Sequence, residues 1–323
     1  MKNNLITTLL ILITIAMVFQ GCGPSGSKKS NASGKLEGTI SISGAFALYP
    51  MAVKWTEEFQ KENPGVRIDI SAGGAGKGMT DALSGMVDLG MVSREISQAE
   101  IDKGAWFIAV TKDAVMPTIS TENPVLKDLQ AKGFTMEIFQ ELFLTENSHT
   151  WGEFIDVPNT DKIIVYTRSD ACGAAEMWGK YLGKNQESLH GVGVFGDPGI
   201  ANAVKQDKFS IGFNNVNYAY DLKTRKNYKG MIVLPIDQNG NRMIDPEEDF
   251  YGNLDSVMAA IQFGRYPSPP ARDLYFVSSG KPVKPAVVAF LDWILASGQQ
   301  FVHEAGYVQL SDTKISSERE KLK

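Results

Sequence analysis

The stretch that most constrains this chain is 66–94, VRIDISAGGAGKGMTDALSGMVDLGMVSR. Val66, Ile68 and Ile70 alternate with polar residues, the period of a half-buried strand. Four glycines follow, at Gly73, Gly74, Gly76 and Gly78. Met79, Ala82, Leu83 and Met86 then recur at helical spacing, and 87–92 reads as a second strand. A glycine turn opening a helix leaves backbone N–H groups without intrahelical acceptors at the positive end of the helix dipole, which suits an anion. The loop alone is equally compatible with a tight turn that binds nothing. It lacks the Ser or Thr after lysine of a nucleotide P-loop, and Met79 breaks the dinucleotide glycine pattern.

The same unit occurs just before it. Residues 38–43 (GTISIS) alternate as a strand, Gly44–Pro50 turns, and 51–63 is a helix ended by Asn63-Pro64-Gly65. Strand, helix and strand with short links make a βαβ unit and a parallel sheet. Ligands of open α/β sheets sit at the carboxyl ends of the strands, so the turns at Ala45-Phe46-Ala47 and Gly74-Ala75-Gly76 are candidate site segments. A third is predicted where the apolar strand 162–166 (KIIVY) meets Thr167-Arg168-Ser169-Asp170-Ala171-Cys172-Gly173-Ala174 and a helix begins. Arg168 beside free N–H groups is a stronger oxyanion signal than glycines, because a guanidinium matches an oxyanion bidentately. The competing reading is a surface salt bridge. Strand-like runs also occur at 107–111 and 114–119.

Composition excludes some classes. Of 323 residues 43% are hydrophobic, enough for two lobes. A net charge of −5 gives no nucleic-acid surface. Lys2 and the apolar run 5–19 read as a secretory leader too short to span a bilayer. Gln20-Gly21-Cys22 resembles a bacterial lipobox, so lipidation of Cys22 is expected. The alternatives are a leader cut elsewhere or an uncleaved anchor. Residues 23–35 read as a flexible tether. With Cys22 lipidated, Cys172 has no disulfide partner.

Residues 237–248 (DQNGNRMIDPEE) place Asp237, Asn239, Asn241, Asp245 and Glu248, with the Met243 carbonyl, at the spacing of a calcium loop. Arg242 stands where such a loop has glycine. A structural calcium and a plain Asn-Gly turn are both open here. An enzyme needs a placed base or nucleophile. His149, His190 and His303 lie outside the candidate turns, and Cys172 at a helix start near Arg168 is conceivable as a low-pKa thiol. The preferred reading is a small buried thiol and a protein that is not an enzyme.

Segments 43–50, 73–78, 87–94, 168–174, 211–213 and 266–307 resemble, in order and spacing, the phosphate-binding lipoproteins of bacterial ABC importers. The resemblance implies a two-lobed α/β periplasmic binding-protein fold of type II, each lobe a mixed, mostly parallel sheet flanked by helices, with two hinge crossings near 112–118 and 257–275. It divides the chain into leader 1–22, tether 23–35, lobe I at 36–114 and 259–323, and lobe II at 115–258. It implies ligand contacts at Ala45, Phe46, Ala47, Gly74, Ala75, Gly76, Ser93, Arg94, Arg168, Cys172, Gly173 and Ala174. It further implies a monomer in the cell envelope, facing periplasm or exterior, anchored to a membrane through Cys22, needing no cofactor and serving an ABC permease. The departures matter. Ala45, Phe46, Ala47, Ala75, Cys172 and Ala174 stand where the family carries mostly serine and threonine. A lost hydrogen bond to a charged group is worth about 1.5–3 kcal/mol, so two losses alone weaken phosphate binding by a factor of hundreds. Three outcomes follow: phosphate held by backbone and arginines, a different or larger anion touching Phe46 and Ala47, or a surface or sensor lipoprotein without transport.

Overall fold

A computed structural model describes residues 35–323; the leader, Cys22 and nearly all of the tether lie outside the described residues. The strands are β1 (Gly38–Gly44), β2 (Val66–Ala72), β3 (Leu89–Val92), β4 (Ala105–Ser120), β5 (Ile164–Arg168), β6 (Val192–Val194), β7 (Ser210–Asn215), β8 (Met231–Val233) and β9 (Ala271–Ser279). They run in the order β2-β1-β3-β9-β4-β7-β5-β6, with β8 also on β4. Pairing is parallel at both ends of this path, where β1 joins β2 and β3, and β5 joins β6 and β7. It is antiparallel in the middle, through β3–β9, β9–β4, β4–β7 and β4–β8. The expected mostly parallel sheets are therefore half antiparallel. The reason is β4: the two runs read at 107–111 and 114–119 are one 16-residue strand that serves both halves.

Two hydrophobic cores flank this strand. The first gathers Ile40, Trp55, Phe59, Met91, Ile108, Phe276 and Phe290. The second gathers Phe134, Phe143, Trp151, Trp178, Phe213 and Tyr266. Along β4 the first core takes residues up to Val110 and the second begins at Ala114. Along β9 the exchange falls between Ala271 and Leu274. Asp113 and Arg272 are cross-strand partners at this changeover. The chain also crosses back at Val308, which bonds Lys112 in both directions at 2.9 and 3.1 Å. Two α/β lobes, each with its own core, thus share β4 and β9.

Local chemistry explains the helices at the turns. Pro50 sits in the first turn of Tyr49–Glu62, where a missing N–H costs nothing. Met51, Ala52, Trp55 and Phe59 form its buried stripe. Cys172 caps Gly173–Tyr181, its Sγ accepting from the Ala175 N–H at 3.4 Å. The C-terminal helix Asp312–Glu320 is held by the buried Glu318 carboxylate, which accepts from the Ala109 N–H at 3.0 Å.

Candidate functional site

The three turns read from sequence meet. The Gly76 N–H donates to the Ala171 carbonyl at 3.3 Å. Gly74, at φ +89°, lies so close that a Cβ there would be 3.1 Å from that same oxygen. The Tyr218 hydroxyl donates to the Phe46 carbonyl at 3.3 Å, and the Phe46 ring meets Phe195 edge-on with centroids 6.1 Å apart. Ala45, Ala47, Ala75 and Ala174 are buried at this junction. Ser93, at the end of β3, is buried against Gly173.

Arg168 is at the centre. Its Nε and Nη2 donate to the two oxygens of Asp170 at 2.8 and 2.7 Å, and its Nη1 donates to Asp197 at 2.8 Å. The side chain has 0% exposure. Asp170 also accepts the Gly196 N–H at 3.0 Å. The Phe46 ring centroid lies 6.0 Å from the guanidinium carbon. Burial opposes the Arg168 charge, but Asp197 and Asp170 outweigh it and hold the group protonated. A guanidinium has five N–H donors, so these bonds leave one on each terminal nitrogen.

Asp197 is in turn held by Asn215, whose Nδ2 donates to it, and Asn215 accepts from Arg272. Arg272 reaches Asp113 at 3.4 Å and the Gly173 carbonyl at 3.5 Å. All are buried. Asp170 lies in the third candidate turn but carries no role in the sequence reading, and Asp197, Asn215, Arg272 and Asp113 lie outside all three turns. Asp170 had a local signal, two residues from Arg168 in the same turn. The other four are brought in by β4, β7, β9 and the helix Gly196–Gln206, and no spacing announces them.

Other candidates are placed differently. Arg94 is engaged by a carboxylate of its own lobe. It pairs bidentately with Glu100 at 2.9 and 2.7 Å and lines a side cavity of about 490 Å³ with Cys172 and Lys180. Lys77 pairs with Asp81. The low-pKa thiol is overturned: burial pushes Cys172 up to about 12, and although Arg168 pulls the other way, Asp197 and Asp170 add to the rise. The calcium reading gains no support. Asp237 accepts the Gly240 and Arg242 N–H groups, Glu248 those of Gln238 and Asn239, and Asp245 the side-chain amides of Asn239 and Asn241. Met243 is exposed. Among the described residues no group of three or more His, Cys, Asp or Glu could hold a metal ion.

The sequence model of the family described as the PBP superfamily domain matches residues 29–297, and the chain belongs to that superfamily. It is 25% identical over 325 residues to the phosphate-binding protein PstS of Bacillus subtilis, covering 98% of this chain and 97% of that protein. It is likewise 25% identical over 357 residues to PstS of Methanocaldococcus jannaschii, covering 94% and 90%. A Clostridium perfringens protein solved with bound phosphate shares the fold at TM-score 0.67 and 19% identity, over 85% of this chain and all 100% of that one. An ABC-type phosphate transport receptor from Vibrio cholerae does so at 0.60 and 15%, over 84% and 100%.

Proposed function

We propose that this protein captures phosphate, or a closely related oxyanion, between its two lobes and delivers it to the permease of an ABC importer. The observation that carries this is Arg168, buried where three helix-opening turns converge and still holding two N–H donors. First-turn N–H groups of Tyr49–Glu62, Ala75–Leu83 and Gly173–Tyr181 other than those already bonded, such as those of Gly76 and Ala175, supply further donors of the kind that bind anions. The PstS relatives named above support the same reading. The ligand contacts are Phe46, Ala47, Gly74, Ala75, Gly76, Ser93, Arg168, Gly173 and Ala174, acting mostly through backbone, with Ala45 and Cys172 shaping the turns.

Capture works by hinge closure about β4 and β9, with lobe I at 36–114 and 259–323 and lobe II at 115–258. A ligand drives closure only by binding the closed form better. The protein is a monomeric envelope lipoprotein held to a membrane through Cys22. It acts as a binding protein and not as an enzyme, a reading supported by its PstS relatives and by the burial that holds the Cys172 thiol protonated. A second reading, a larger anion with an apolar portion, is favoured by the Phe46–Phe195 pair, since Phe195 is 63% exposed. Titration calorimetry of the full chain with phosphate, arsenate, sulfate and organic phosphates tests both. Micromolar phosphate binding is expected. Binding of organic phosphates alone would transfer the assignment to the second reading, and no binding of any of them by folded protein would end both.

A further inference from the structure

The candidate site is joined to the hinge by a continuous line of buried side chains. It runs Asp170, Arg168, Asp197, Asn215, Arg272, Asp113, each in contact with the next. Two guanidiniums face three carboxylates, so the fully ionised line carries one excess negative charge. An oxyanion beside Arg168 adds to that excess in surroundings that solvate charge poorly, where an uncompensated buried charge is costly.

The three carboxylates are unequally supported. Asp170 has a bidentate guanidinium and a backbone N–H. Asp197 has a guanidinium and an amide. Asp113 has one ion pair, a longer one, with Arg272 at 3.4 Å. The backbone N–H groups of Ala114 and Val216 lie near its carboxylate, but its Oδ1, like the Nε of Arg272, is buried without a partner at hydrogen-bond geometry. We infer that Asp113 is a ligand-linked proton acceptor: when an oxyanion occupies the site on Arg168, one proton is taken up at Asp113, on the hinge strand itself. This rests on the oxyanion reading above.

The groups that face Asp113 are consistent with that role. Arg272 on β9 and Asp197 on the helix Gly196–Gln206 are the charged ones, with Arg168 beyond Asp197. Tyr218, Tyr266 and Tyr307 also surround it, and burial holds all three phenols protonated. Lys112 and Asp273, the flanking charges on the two strands, face each other 4.0 Å apart at the surface. Burial already pushes Asp113 up to about 6 against the pull of Arg272, so a modest added negative potential moves it across neutral pH. Because Asp113 and Arg272 are cross-strand partners where the two cores change over, the proton changes their pairing at the point about which the lobes turn.

The test is calorimetry of the full chain with inorganic phosphate at pH 7.5 in two buffers of different ionisation enthalpy, for the wild type and for Asp113→Asn. The ligand's own ionisation contributes to both. The wild type should take up more protons than the variant, by a substantial fraction of one proton per phosphate. Wild-type affinity should fall as pH rises above 7, and the variant's should vary less. Equal uptake in the two proteins overturns the proposal while leaving phosphate binding in place. No phosphate heat from folded wild type overturns the oxyanion reading and this proposal with it. If Asp113→Asn does not fold, infrared difference spectra of the wild type decide: phosphate should bring up the C=O stretch of a protonated carboxyl, and its absence overturns the proposal.

Discussion

Gly173 and Ser93 touch so closely that a Cβ on Gly173 would lie 2.2 Å from the Ser93 carbonyl oxygen and 2.3 Å from its Oγ. Ser93 ends a strand of the first core and Gly173 opens a helix of the second. The absence of a side chain at 173 is thus a condition for the two faces to meet. Gly173→Ala leaves each core intact and obstructs only their approach. It should weaken phosphate binding by about tenfold or more, roughly 1.4 kcal/mol, with little change in melting temperature. Calorimetry beside thermal melts measures both, and unchanged affinity would show that the contact plays no part in capture.

Arg168→Met should be a folding mutation as much as a binding one. It strands Asp170 and Asp197, both almost fully buried. Removing one partner of a buried pair costs about 3–5 kcal/mol. Urea denaturation should register a loss of that size. Adding Asp197→Asn should restore part of it, because one stranded charge disappears. A variant as stable as the wild type would mean these pairs contribute nothing net.

Asp113 gives a pH dependence whose sign can be worked out. Its folded-state value of about 6 lies above the ordinary 3.8. Between those values the folded chain binds the proton more tightly than the unfolded one, so this group's contribution falls as pH rises through the window and stays lost above it. Asp113→Asn lacks the effect. The stability of the variant relative to the wild type should therefore increase by about 1–3 kcal/mol from pH 4 to pH 7. Parallel urea series across that range would reveal it, and a constant gap would contradict it.

The Cys172 thiol should be inert. It is buried, and its pKa is pushed up to about 12, so little thiolate exists at pH 8 to attack an alkylating reagent. Iodoacetamide should label the native protein at least about 100-fold more slowly than the urea-unfolded chain. Rapid native labelling would reopen the enzyme reading.

The three turns were legible because each is local: a strand's period-2 alternation ends, a glycine or polar cluster intervenes, and a 3.6-residue period begins. Even the meeting of Ala45–Ala47, Gly74–Gly76 and Arg168–Ala174 followed from strand-end logic. The pairing of Arg94 was also locally readable, since Glu100 lies six residues on and at the start of a helix. The low-pKa alternative for Cys172 gave way to the preferred buried thiol because a helix start and a nearby arginine lower a pKa only where burial does not outweigh them, and burial is not local.

Sequence by itself therefore determined most of the elements, the three candidate turns and the arginine between them, because propensity, patterning and turn chemistry act over a few residues. Tertiary structure alone decided what that arginine is tied to. Asp197, Asn215, Arg272 and Asp113 lie on four different elements, and they line up only because β4 pairs with β9 on one side and β7 on the other, with the helix Gly196–Gln206 beside them. Electrostatics in a buried cluster depends on distance and desolvation, and neither quantity is written in the order of the residues.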